Sequence, residues 1–330
     1  MNVLSFAEEI ASYVYRVRGG VAMFANSTHR KHWIFSNADE LLTLRRTAQT
    51  AFLDSVSIDE EEKGKAAPLT LKEEQRLTQY YVIKLRDVAA AFQPPAPWSV
   101  VGTATVYLKR FFLRSTAMEH PVKMIMYTCL YLACKIEEFN LSVDQFLMAV
   151  PAEEQHTVRQ FVLQNELMLV QSLHFHLTVH NPYRPLEGFL VDMKTRCPVS
   201  KGSKIRKIAD QFLVHVLSSD APLLYIPSQI ALCAIVLGAR TMKVSLDKYL
   251  NETLGAGQDD TKIAAMKASL QRIESTVATA EPNGISKEAA AELETRCQFY
   301  QDKFVSVHGG RKRRYSGDSD DELPMKILAV

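Results

Sequence analysis

The sequence predicts an all-α protein: a tandem repeat of two five-helix bundles with extra helices at the N- and C-terminal ends. Three observations carry this. Residues 124–134 (MIMYTCLYLAC) are apolar on every side, with only Thr128 interrupting. A helix without a polar face belongs at the centre of a bundle, and at 11 residues this one is shorter than the ~20 residues a bilayer span needs. A second such run, IALCAIVLGA at 230–239, follows in the other half of the chain. Sliding the sequence by about 105 residues lays LYLACK (130–135) over IVLGAR (235–240), with small residues and a terminal cation at the same steps. Strand-type alternation occurs only around residues 175–179.

The elements follow in order. Residues 1–22 lack helix caps and end in Gly19-Gly20, and they read as an extension or an upstream start assignment. In the N-terminal segment 23–68, Leu41, Leu42, Leu44, Ala48 and Phe52 recur at helical spacing over 36–53, and a polar linker rich in Asp and Glu follows. Thr70 with Glu73 forms a capping-box pattern. It opens a helix carrying Leu77, Tyr80, Tyr81, Leu85, Val88 and Phe92, which Pro94-Pro95-Ala96-Pro97 stops. A helix at about 99–113 leads to the buried one. Ser142 with Gln145 repeats the capping box ahead of a short helix ending near Pro151, and 153–173 is amphipathic. The second half begins after NPYRP (181–185) and reaches its own apolar helix through Ile226-Pro227-Ser228-Gln229. Ala289, Leu293, Cys297, Tyr300 and Phe304 mark a last helix over 285–306. The charged tail 309–330 reads as disordered.

Composition excludes several classes. The net charge of +2 leaves no basic coat for nucleic acid. Glu8 and Glu9 break the N-terminus before any long apolar stretch, so no secretory signal is read and an intracellular protein is expected. Cys129, Cys134, Cys197, Cys233 and Cys297 form no CxxC pair and read as reduced thiols, several of them buried. No nucleophile elbow, phosphate loop or HExxH is present. Glu187 and Asp192 have no acid–base partner, so no catalytic residue and no cofactor is assigned. His174, His176 and His180 lack a nearby cysteine or acidic ligand and read as packing and hydrogen-bonding side chains, not as a metal site.

The candidate site is Lys135 with Glu166. Glu166 falls among Val158, Val162 and Val170, four residues apart along one helix, and Lys135 ends the neighbouring buried helix. An ionised group in an apolar stripe needs a partner. Two readings stand: an internal salt bridge or a rim carboxylate, or a charge pair at the edge of a partner-binding surface. In the tail, Ser319 before Asp320-Asp321-Glu322 matches an acidophilic phosphorylation site, and RKRR (311–314) matches a nuclear localisation cluster.

The central run with its LACKIEEFN end, together with RKHWIFS (30–36), SVVGTATVYLKRFFL (99–113), HLTVHNPYRPLEGFLVDMKTR (176–196) and LLYIPSQIAL (223–232), resembles the cyclin family, most closely its cyclin-H type. The resemblance implies the cyclin fold, with a first cyclin box at 69–180, a second cyclin-like repeat at 181–280 and a C-terminal helix at 281–308. It further implies a non-catalytic, nuclear activator. This would bind the cyclin-dependent catalytic subunit of the CDK-activating kinase, a RING-finger assembly factor and other TFIIH subunits, with no direct nucleic-acid or membrane contact. On the matching motif positions, Lys135 and Glu166 would contact the kinase's activating helix, with Ile136, Val170 and Leu177 packing beside them. Two departures from mitotic cyclins stand out: EEQRLTQYYVIKLRD has no MRAIL-type motif, and Lys109 stands where they carry an acidic residue. The alternatives are another transcriptional cyclin of the cyclin-C type, and a transcription-factor-B-like DNA-binding core factor. The latter would need a basic stripe and normally a zinc ribbon, and the sequence shows neither.

Overall fold

The computed structural model describes residues 22–56, 66–196, 201–254, 260–280 and 284–308. Helices α1 (Ala22–Ala25), α2 (Thr28–Trp33) and α3 (Ala38–Ser55) precede a first bundle of α4 (Leu71–Ala91), α5 (Trp98–Phe111), α6 (Val122–Ile136), α7 (Val143–Leu147) and α8 (Gln155–Ser172). The second bundle comprises α9 (Tyr183–Arg196), α10 (Gly202–Ser218), the one-turn α11 (Ala221–Leu224), α12 (Pro227–Thr241), a π-helical turn (Tyr249–Leu254) and α13 (Asp260–Ala278). A terminal α14 (Lys287–His308) closes the order, and no strand occurs among the described residues.

Both expected capping boxes form. The Glu73 amide donates to Thr70 Oγ1 at 3.2 Å while Thr70 N donates to the Glu73 carboxylate at 2.7 Å. Ser142 and Gln145 exchange the equivalent bonds at 3.2 and 2.9 Å. Each box satisfies amides that a helix start leaves without partners. The apolar run lies in α6, buried from Ile125 to Cys134 against α4, α5 and α8. Helix α5 is equally enclosed from Val100 to Phe111 although it carries Thr103, Thr105, Lys109 and Arg110, so two central helices stand where the sequence marked one. In the second bundle α12 takes the central place against α9, α10 and α13. Cys129, Cys134, Cys233 and Cys297 are buried free thiols; Cys197 lies outside the described residues.

The repeat is written into the backbone. After α6, Glu138 adopts a left-handed φ of 57° and the Phe139 amide returns to the Cys134 carbonyl at 2.9 Å. About 105 residues on, Lys243 has φ 54° and the Val244 amide returns to the Ala239 carbonyl at 2.9 Å. Both are helix stops in which a left-handed residue lets the next amide cap a carbonyl of the last turn. Where α12 crosses α10, Gly238 leaves no room for a side chain: a Cβ would sit 2.9 Å from the Ile205 carbonyl oxygen.

The terminal helices are wedged in. Trp33 is buried, donates through Nε1 to His176 Nδ1 at 3.1 Å, and lies 4.7 Å from the Arg110 guanidinium. Arg110 in turn donates to the His176 carbonyl at 3.1 Å. Arg45 of α3 clasps Asp220 with two bonds of 2.8 Å, tying the N-terminal helix to the second bundle. At the other end, Arg296 of α14 reaches the Glu73 carboxylate at 2.7 Å and the Ala67 and Pro68 carbonyls at 3.1 Å each. Tyr300 donates to the Ala66 carbonyl at 2.7 Å, and the Tyr81 hydroxyl bonds Glu294.

The hydrogen bond from Arg296 lowers the Glu73 carboxyl to about 2 from an ordinary 4.5. The folded carboxyl is the stronger acid, so its stabilisation is full above the unfolded value and is lost as pH falls from about 4.5 towards about 2. Amide exchange in α14 is therefore expected to accelerate across that window. In Arg296→Ala it should be fast already at neutral pH; unchanged exchange in that variant would refute the anchor. Gly238→Ala is expected to cost about 1–3 kcal/mol by overpacking, measured by urea unfolding against the parent protein.

Candidate functional site

The site lies where α6 leaves the core. Ala133 and Cys134 are buried, and the next two residues, Lys135 and Ile136, reach solvent. The Lys135 ammonium donates to both Glu166 carboxylate oxygens, at 2.7 and 2.8 Å, and sits 4.5 Å from the centre of the Tyr131 ring. The side chains are 44% and 23% exposed, so this is a pair at the rim and not an interior one. Exposed pairs contribute about 0–1 kcal/mol, too little for stability alone to explain a fixed two-bond geometry.

The placement of Glu166 differs from the sequence reading in one respect. The buried stripe of α8 runs through Val158, Val162 and Leu169 to Leu173. Glu166 borders that stripe on the side from which Leu163, Val170 and Leu167 continue round the helix. Leu163 and Leu167 are 52% and 63% exposed, and Ile136 across the pair is 38% exposed. Val170 is half-buried against the first core. Leu177, beyond the end of α8, is also packed on that core, and its carbonyl accepts from the Tyr107 hydroxyl. Lys135, Ile136, Glu166 and Val170 thus lie along the adjoining α6 and α8, and Leu177 follows on the segment that leaves α8. The sequence reading missed Leu163 and Leu167. Their signal was two leucines flanking a glutamate on a face that should be polar.

The second bundle carries a counterpart. Arg240, ending α12, donates to both oxygens of Glu274 on α13 at 2.9 Å. Neither α12 nor α13 exposes a large apolar side chain among the described residues. The charge pair is therefore common to both bundles, while the apolar border belongs to the first.

The other candidates are engaged elsewhere. The His180 amide donates to His29 Nδ1 at 3.0 Å, His176 accepts from Trp33, and His174 stacks 6.2 Å from the Trp33 ring. Burial holds His176 and His180 below the usual histidine range. Glu187 pairs with Arg206 at 2.5 Å, and Asp192 with Arg196 at 2.8 Å. Ser319 and the cluster at 311–314 lie outside the described residues.

Comparison with known proteins settles the family. The cyclin N-terminal domain matches residues 75–178, and the cyclin C-terminal domain matches 181–280. Over 300 residues the chain is 38% identical to cyclin-H of Xenopus laevis, spanning 90% of this chain and 93% of that one. The chain belongs to the cyclin-H family. Its role is that of a regulatory cyclin. The fold is shared with a chain of the CAK complex of Chaetomium thermophilum bound to ATP-γ-S, at a TM-score of 0.74 and 22% identity over 91% of this chain and 97% of that one. A chain of yeast TFIIK (Kin28/Ccl1/Tfb3) superposes at a TM-score of 0.61 and 24% identity, covering 77% and 100%.

Since the pair sits at the rim, Lys135→Ala is expected to change unfolding free energy by no more than about 1 kcal/mol. Urea titration checks this; a loss of several kcal/mol would make the pair structural.

Proposed function

We propose that this cyclin binds and activates the catalytic subunit of a CDK-activating kinase through the surface centred on Lys135 and Glu166. The observation that carries the reading is the apolar border of Ile136, Leu163 and Leu167 around that pair, which the counterpart pair in the second bundle lacks. A lysine has three N–H donors for backbone carbonyls and a carboxylate accepts backbone amides, so the pair is equipped to fix one rotation of an incoming helix. Burial of Leu163, Leu167, Ile136 and Val170 supplies most of the binding free energy, and the charges supply orientation. Holding the kinase's activating helix inward completes the kinase's own Lys–Glu pair, the requirement for phosphoryl transfer. The protein contributes no catalytic group, and Leu177 lends an apolar contact at the margin.

The complex includes a RING-finger assembly factor and the remaining TFIIH subunits, acts in the nucleus, and phosphorylates kinase activation loops and the RNA polymerase II C-terminal repeats. The CAK and TFIIK complexes to which the fold neighbours belong support this assembly, and the cluster at 311–314 supports nuclear import. Ser319 is proposed as a phosphorylation site in the tail.

The test is activation of the purified cyclin-dependent kinase on a polymerase-tail peptide. Lys135→Ala, Glu166→Ala and Leu167→Ala are expected to lower complex affinity about tenfold each, near the ~1.4 kcal/mol scale of an interface anchor. Arg240→Ala should leave activation unchanged. Equal activation by all four variants would refute the assignment.

A further inference from the structure

Between the two bundles lies a cavity of about 440 Å³, walled by α3, α4, α5, the α10–α11 connection and the end of α13. Its lining includes four cations, Arg45, Lys72, Arg76 and Lys109, and two carboxylates, Glu74 and Asp220. Both carboxylates are already committed. Asp220 is held by Arg45 at 2.8 Å through two bonds. Glu74 accepts from Thr116 Oγ1 and Gln49 Nε2 at 2.7 Å each and from the Ala117 amide at 3.2 Å, and burial holds its carboxyl above the ordinary range.

Lys109 is the exception. The residue is only 6% exposed and lines the cavity, and the Asp220 charge that acts on it is already clasped by Arg45. Buried lysines without partners are rare, because an uncompensated charge in the interior is costly. Burial lowers Lys109 to about 8, with the Asp220 charge opposing that shift and Arg45 adding to it. At neutral pH it is still largely charged. Lys72 on the same wall is exposed and forms no ion pair with the described residues. The cavity therefore carries positive charge that the protein leaves unbalanced.

We propose that this inter-bundle cavity is an anion site that takes the phosphoryl group of a phosphoserine or phosphothreonine peptide, with Lys109 as its most deeply buried cation. A phosphomonoester carries about −1.5 to −2 at neutral pH, which matches Lys109 and Lys72; a carboxylate brings half of that. Arg45 spends its donor fork on Asp220, so the point charge of Lys109 is the cation left to meet the phosphoryl group. The volume lies in the ~300–1,000 Å³ range of pockets that hold ligands larger than a bare ion, so a phosphorylated residue with its neighbours fits. A nucleotide is disfavoured, since the aromatic side chain in the wall, Phe112, is packed into the first core and offers no free face to a base. No lining residue belongs to the Lys135–Glu166 surface, so the site is independent of the kinase contact.

The test uses the full chain and a short fluorescent phosphoserine peptide with uncharged flanks, read by anisotropy. Its unphosphorylated parent, inorganic phosphate and AMP serve as competitors. The phosphopeptide is expected to bind at least about tenfold more tightly than its parent, a charge-assisted bond or two. Lys109→Met should lose about tenfold without lowering the melting temperature, because it removes a buried charge. Lys72→Ala should lose a few-fold, and wild-type affinity should fall as pH rises through about 8. Undiminished binding by Lys109→Met, or no binding of any phosphorylated probe, overturns the site. Displacement of the probe by inorganic phosphate or AMP as effectively as by unlabelled phosphopeptide overturns the peptide assignment. Should Lys109→Met fail to fold, unchanged affinity in Lys72→Ala together with a flat pH profile would overturn it instead.

Discussion

A helix with no polar side must be surrounded, and α6 is such a helix. Its burial requires α4, α5 and α8 on its flanks, and only its ends can meet water. Pro121 starts it without an amide to satisfy, and Lys135 is the first side chain past the core to reach solvent. Glu166 on the adjoining α8 is where that ammonium finds two acceptor oxygens. The position of the candidate surface is thus a consequence of core enclosure: it lies at the C-terminal end of α6, where the Lys135–Glu166 pair stands at the rim.

The second bundle obeys the same constraint with α12 at its centre, and it reproduces the terminal cation, the carboxylate partner and the left-handed stop. Such agreement in backbone and charge shows how much of the geometry belongs to the fold and how little of it, taken alone, specifies a partner. What separates the halves is side-chain chemistry at the border. The first leaves Ile136, Leu163 and Leu167 in solvent beside its pair, and the second exposes no large apolar side chain on α12 or α13 among the described residues. Unlike exposed charges, solvent-facing leucines bring no benefit to an isolated chain, so their presence is the more informative signal.

Much of this was legible from residue patterns. The two apolar runs, both capping boxes and the partnership of Lys135 with Glu166 all follow from local spacing. Helix α5 did not reveal itself as central because Gly102, Thr103, Thr105, Lys109 and Arg110 dilute its apolar character; their burial is settled by distant contacts such as Trp33 on Arg110. The side of α8 on which Glu166 lies was misjudged for a related reason. A four-residue step drifts by about 40° per turn, so 158, 162, 166 and 170 slide off one face and the buried stripe moves on to 169 and 173. The role as a kinase regulator came from family resemblance; spacing alone favoured an internal salt bridge or a rim carboxylate.

The first core is not confined to the first bundle. It includes Phe52 and Val56 of the N-terminal segment, Leu217 of α10, and Ala290, Leu293, Cys297 and Tyr300 of α14. A fragment excised at residues 75–178 would therefore open apolar wounds on several sides and strip Trp33 from above a buried guanidinium. The domain defined by ancestry is smaller than the unit that folds. Truncations that respect the sequence family boundary would yield aggregation-prone pieces, whereas the smallest soluble version would have to retain both bundles together with α2, α3 and α14.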